Sequence, residues 1–134
     1  MLPEVLSADV CSLREGEDRA AMACHLRIDE HGNVAKFRFS RALVRIAQNI
    51  AYEDAQGLID RGDAPEHLRN LWACWHALAR ARQARDPLEL ELPERRVMLD
   101  EQGRIAEIAI RERLDAHRVV EDFMIAANVA AAKS

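Results

Sequence analysis

Between Ala20 and Ile28 the chain alternates strictly. Ala20, Met22, Cys24, Leu26 and Ile28 fall on one face, and Ala21, Ala23, His25, Arg27 and Asp29 fall on the other. A period of two predicts a half-buried strand. Asp29-Glu30-His31-Gly32-Asn33 follows as a turn in which Gly32 or Asn33 can take positive φ. A second alternating run starts at Val34, carries Phe37 and Phe39 on one face, and continues through Arg41 towards Val44 and Ile46. The two runs predict a β-hairpin. Before it, Met1 to Asp18 has no sustained period and carries the acidic run Glu15-Gly16-Glu17-Asp18, which reads as an irregular, solvated segment.

The middle of the chain changes period. A short helix is predicted from Tyr52 to Asp60, ending near Gly62. Asp63-Ala64-Pro65-Glu66 then reads as a second helix start, with Asp63 as cap, Pro65 in the first turn and Glu66 at the capping-box position. Leu68, Leu71, Trp75 and Leu78 form its apolar stripe. Arg80, Arg82 and Arg85 suit its C-terminal dipole, and Pro87 stops it. Leu88 to Leu92 alternates Leu with Glu, predicting a short strand. A second hairpin spans Val97 to Ile108 around Asp100-Glu101-Gln102-Gly103. A last helix runs from about Leu114 to Ala131. The order is hairpin, helices, strand, hairpin, helix. It predicts an α+β fold, a mostly antiparallel sheet built from two hairpins and packed with about three helices, in one domain over residues 1–134.

Composition narrows the class. In 134 residues, 49% are hydrophobic and 31% charged, a balance that supports a folded core. Nineteen Lys and Arg against 23 Asp and Glu give a net charge of −4. This argues against nucleic-acid binding by bulk basicity and leaves room for a local groove. The weakly polar run from Phe123 to Ala132 is too short to span a bilayer, and the first residues carry no signal-like apolar core. Cys11, Cys24 and Cys74 form no C-x-x-C pair, so free thiols in a reducing cytoplasm are expected.

Few residues suggest chemistry. Cys24 and His25 are strand neighbours and point to opposite faces. Cys74 and His76 are two apart on a helix and do not face each other. A cysteine nucleophile is therefore poorly supported. The acidic pairs Asp29-Glu30, Asp100-Glu101 and Glu53-Asp54 read as solvated turns or helix starts. The last helix differs, because it is apolar around most of its circumference yet carries His117, Glu121 and Asn128 at i, i+4 and i+11. Such a seam needs partners. Spacing alone is consistent with a satisfied buried network or with a polar wall facing a ligand.

Several blocks resemble one family. Met1-Leu2-Pro3-Glu4-Val5-Leu6-Ser7 with Cys11-Ser12-Leu13 resembles an M-L-P-x-x-L-S…C-S-L segment, and Arg19 falls where an Arg follows it. Tyr52-Glu53-Asp54-Ala55-Gln56 resembles a Tyr-Glu-Glu block opening a helix, and Leu90-Glu91-Leu92-Pro93-Glu94 a strand ending in Pro-Glu. The run from Ala116 to Asn128 is similar to an A-H-[RK]-L-I-E-E-x-M-[IL]-x-A-N helix. In family order, these blocks resemble the central part of the catalytic RNB domain of the ribonuclease II and ribonuclease R exoribonucleases.

The resemblance implies Mg²⁺-dependent 3′-to-5′ hydrolysis of single-stranded RNA drawn into a channel. It implies that Tyr52 packs against the terminal nucleotide, and that Glu121 is the catalytic-site residue beside the terminal ribose, within reach of a 2′-hydroxyl. In the family the metal-holding aspartates lie upstream of the M-L-P segment and the catalytic arginine downstream of the A-N helix. No metal ligand is therefore assigned here, and the chain, read as a fragment of that domain, is expected to be inactive alone. The alternative is a non-catalytic module, derived from that domain, that binds RNA or protein. Apolar surface left uncovered would then favour self-association.

Overall fold

A computed structural model of the chain describes residues 2–85, 95–99, 101–103, 105–110 and 114–134. Pro87, the strand expected from Leu88 to Leu92, the Pro93-Glu94 pair and Asp100 lie outside them.

The first hairpin forms as expected and is longer. Strand β1 (Asp18–Ile28) pairs antiparallel with β2 (Val34–Arg45), setting Leu26 opposite Phe37 and Cys24 opposite Phe39. The Asp29 carboxylate accepts the N–H of Asn33 at 2.9 Å and of His31 at 3.0 Å. Gly32 takes φ +81°. The turn rests on a helix so closely that a Cβ on Gly32 would lie 2.0 Å from the carbonyl oxygen of Ala77.

Only the turn-proximal half of β1 follows the expected face. Cys24, Leu26 and Ile28 are shielded, whereas Met22 is 67% exposed and Arg19, Ala21 and Ala23 are covered instead. At that end Arg19 donates from Nε to the carbonyl oxygens of Asp9 and Ser12 and so turns towards the N-terminal segment. Residues 5–10, expected to be irregular, form a π-helical stretch (Val5–Val10) that buries none of its residues.

Helix α1 (Tyr52–Arg61) ends at Gly62, φ +75°, whose N–H bonds back to the Ile59 carbonyl. Helix α2 (Glu66–Gln83) starts one residue after an extended Pro65. Asp63 does not cap it. Pro65 holds the N-cap position with no side-chain bond, and the Asp63 carboxylate lies 3.8 Å from Arg61. The buried stripe of α2 is Leu68, Trp72, Trp75 and Leu78, and Leu71 is 39% exposed. Helix α3 (Asp115–Lys133) packs Ala116, Val119, Ala126 and Ala130 inward. Its small side chains let α1 and α2 approach, and the core gathers Ala55, Ala64, Leu68, Trp72, Trp75, Ala116 and Val119. Trp72 and Trp75 meet edge to face at 6.5 Å.

A second antiparallel hairpin, β3 (Arg95–Leu99) and β4 (Ile105–Ile110), forms its own two-stranded sheet. The α+β class and the two hairpins are thus present, as two separate sheets.

Candidate functional site

Tyr52 opens α1 and reaches the first turn of α3. Its ring stacks on the imidazole of His117, with centroids 4.2 Å apart and planes 29° apart. The Ala116 N–H donates to Gln56 Oε1 at 3.0 Å and ties the same two helices together. His117 Nδ1 accepts the N–H of Leu114 at 3.2 Å, satisfying a backbone donor at the helix start. An accepting Nδ1 puts the ring proton on Nε2, which is buried without a hydrogen-bond partner among the described residues.

One turn further, α3 presents Glu121 and Asp122 to α2. Asp122, 8% exposed, is the one charged residue buried among the described residues. Trp75 donates from Nε1 to Asp122 Oδ2 at 2.8 Å, and Arg82 donates from Nη1 to Asp122 Oδ1. Arg82 Nη2 also lies 3.9 Å from Glu121 Oε1. A buried carboxylate is tolerated when it is paired and hydrogen-bonded, and both of its oxygens are engaged here.

The structure thus stacks Tyr52 on His117, about one turn of α3 before Glu121. It does not bring Asn128 into a buried seam, because that residue is exposed. The buried polar network has a different centre, Asp122, with Trp75 and Arg82 as partners. Sequence reasoning assigned Arg82 to the helix dipole and passed over Asp122. A signal existed: Asp122 stands on the stripe of Val119, Ala126 and Ala130 at helical spacing.

The thiols stay apart from bases. His25 is exposed and bonds Ser40 Oγ at 3.1 Å. Burial pushes the Cys74 thiol up from its ordinary pKa. No group of three or more His, Cys, Asp or Glu side chains among the described residues is arranged to hold a metal ion. A hard cation needs converging oxygens. Both Asp122 oxygens are bonded to Trp75 and Arg82, and a guanidinium stands beside Glu121. This donor set does not fit Mg²⁺, and no step is assigned to the ion at these residues. Asp122 and Arg82 also line a cleft of about 260 Å³ between the first hairpin, α2 and α3, with Phe37, Leu78, Ile125 and Val129 in its walls.

The RNB domain profile matches residues 1–134. The chain is 36% identical over 136 residues to ribonuclease R of Aquifex aeolicus, covering 96% of this chain and 19% of the relative. It is 32% identical to ribonuclease R of Escherichia coli over 99% of this chain and 17% of that one. It therefore spans about a fifth of the length of these curated relatives. Its fold matches Mycoplasma genitalium RNase R, solved in complex with ribose-methylated single-stranded RNA. The TM-score is 0.83 at 21% identity, covering 95% of this chain and 21% of that one. On the match along its whole length, the chain belongs to the RNB domain family.

Proposed function

We propose that this chain forms part of the wall of a channel that receives the 3′ end of single-stranded RNA in a Mg²⁺-dependent 3′-to-5′ exoribonuclease. The observation that carries the reading is the stacking of Tyr52 on His117, about one helical turn before Glu121 on α3. Tyr52 offers an aromatic ring to the terminal base, a contact indifferent to base identity. Glu121 offers a carboxylate that accepts the O–H of a terminal 2′-hydroxyl, the group that separates RNA from DNA. The relatives' names, ribonuclease R among them, and the RNA bound to the solved neighbour support this reading.

The same reading holds that the chain does not hydrolyse RNA alone, because in the family it resembles the metal-holding aspartates lie upstream of the M-L-P segment and the catalytic arginine downstream of the A-N helix, and metal-assisted hydrolysis needs both. The free thiols Cys11, Cys24 and Cys74 accord with a reducing cytoplasm. A gel assay with 5′-labelled single-stranded RNA and Mg²⁺ tests it. The expected result is intact RNA. A descending ladder that disappears in Glu121→Ala would show that this chain supplies the chemistry itself.

A second reading, a non-catalytic interaction module, rests on exposed apolar residues, chiefly Leu43 at 73% and Met22 at 67% on the first hairpin and Met124 at 59% on α3. Light scattering separates the two. Concentration-dependent dimers favour the module, and a monomer at high concentration removes its support.

A further inference from the structure

The geometry points to a second RNA contact, on the first hairpin: a basic patch of Arg27, Lys36 and Arg38 that holds the sugar–phosphate backbone of RNA lying outside the channel. This contact rests on the proposal above that RNA is the ligand, and not on the roles given to Tyr52 and Glu121.

The strand register builds the patch. His25 stands opposite Arg38, and Arg27 opposite Lys36. Residues directly opposite, and residues two apart on one strand, share a face of the sheet. These four therefore lie together on one face beside the turn, and all four are exposed. The other face of this half carries Cys24, Leu26, Phe37 and Phe39, which are shielded. The three cations stand within about 5–8 Å of one another at their Cβ atoms.

Nothing on the hairpin neutralises them. The side chains of Arg27, Lys36 and Arg38 have no ion-pair or hydrogen-bond partner among the described residues. The acids next in the chain are engaged elsewhere. Asp29 accepts the N–H groups of the turn, and Glu30 lies 3.7 Å from His31. His25 bonds Ser40 Oγ at 3.1 Å and is not counted among the cations. Like charges directly opposite destabilise a strand pair, yet Arg27 faces Lys36 in a chain of net charge −4. An anion laid across the face offsets that repulsion. Cations spread over two strands suit the repeated charge of a phosphate backbone better than one small anion. The two phenylalanines of β2 lie on the other face, so this face offers no ring for base stacking and reads phosphate without regard to sequence.

Fluorescence anisotropy of a 5′-labelled single-stranded RNA, from about 50 to about 200 mM salt, tests the patch. Proteins compared are the unaltered chain, Arg27→Gln/Lys36→Gln/Arg38→Gln, Tyr52→Ala, and a control, Arg41→Gln/Arg69→Gln/Arg80→Gln, each checked for folding by circular dichroism. The control removes equal charge from exposed positions, Arg41 on the other face of β2 and Arg69 and Arg80 on α2. Each cation held on a single-strand phosphate adds about 0.7 to the slope of log affinity against log salt. The patch variant should show a slope shallower by about 2. Across this range the unaltered chain should then lose about fifteenfold more affinity than the variant does. The control should keep the slope.

A patch variant that keeps the full slope, or a control that lowers it equally, overturns the inference and leaves the channel reading standing. A Tyr52→Ala protein of unchanged affinity overturns the channel reading and leaves the patch. An unaltered chain that binds no RNA overturns both. Poly-L-glutamate that competes as well as unlabelled RNA at equal charge overturns the assignment to RNA and points to an acidic protein surface.

Discussion

The ring of Tyr52 lies flat against the imidazole of His117, and the Nδ1 of that imidazole holds the N–H of Leu114 at the start of α3. The tyrosine is therefore set by the same histidine that satisfies the helix terminus. His117→Ala removes both contacts and should cost about 1–2 kcal/mol in urea unfolding. It should also weaken RNA binding by loosening Tyr52. If His117→Ala unfolds at the unaltered midpoint, the histidine holds neither group.

Asp122 predicts a larger effect. Asp122→Ala leaves the Trp75 Nε1–H and the Arg82 guanidinium without their acceptor. Breaking a buried pair costs about 3–5 kcal/mol. Because Arg82 is 34% exposed and can turn to water, the lower end, about 3 kcal/mol, is expected. Asp122→Asn keeps an acceptor for Trp75 and should cost less. Equal losses for the two variants would show that the charge contributes nothing.

Gly32 is where the hairpin meets α2. Gly32→Ala combines positive φ with a Cβ driven against the Ala77 carbonyl. Left-handed backbone costs a non-glycine residue about 1–2 kcal/mol, and the clash adds to it. Gly16 has φ +76° with nothing near its Cβ position, so Gly16→Ala isolates the backbone effect. Thermal unfolding should show Gly32→Ala well below Gly16→Ala. Similar melting temperatures would mean that the turn does not rest on the helix in solution.

The turn also carries a pH dependence. The backbone N–H of Asn33, with that of His31, holds the Asp29 carboxyl below the ordinary aspartate pKa. A value lowered in the folded state gives stability that is present above the unfolded pKa, about 3.9, and lost as pH falls through the folded value. Asp29→Asn keeps an oxygen acceptor but cannot ionise. Its denaturation midpoint should fall below that of the unaltered chain at neutral pH and converge with it in acid. A gap that persists in acid would point to the turn's backbone rather than to the charge.

The first hairpin was legible because its information is local: a period of two and an Asp-x-x-Gly turn lie within one stretch of chain. The stripe of α2 was legible to within one residue. Leu71 and Trp72 both fit a helical period, and the bulk of the indole decides which is buried. Asp63 failed as a cap because Pro65 already holds the N-cap position in an extended conformation. Asp122 was hidden for a different reason. Beside Glu121, both acids fall near one helix face, and only partners 40 and 47 residues away in the chain distinguish the buried one. Sequence spacing does not display such non-local pairs.

Fluorescence anisotropy of a 5′-labelled single-stranded RNA, titrated with the unaltered chain and with Tyr52→Ala, tests the central claim most directly. A base stacked on an aromatic ring contributes about 1–3 kcal/mol. The account predicts saturable binding that Tyr52→Ala weakens about tenfold or more. Absence of binding, or equal affinity in the two proteins, would contradict the assignment of this surface to an RNA channel.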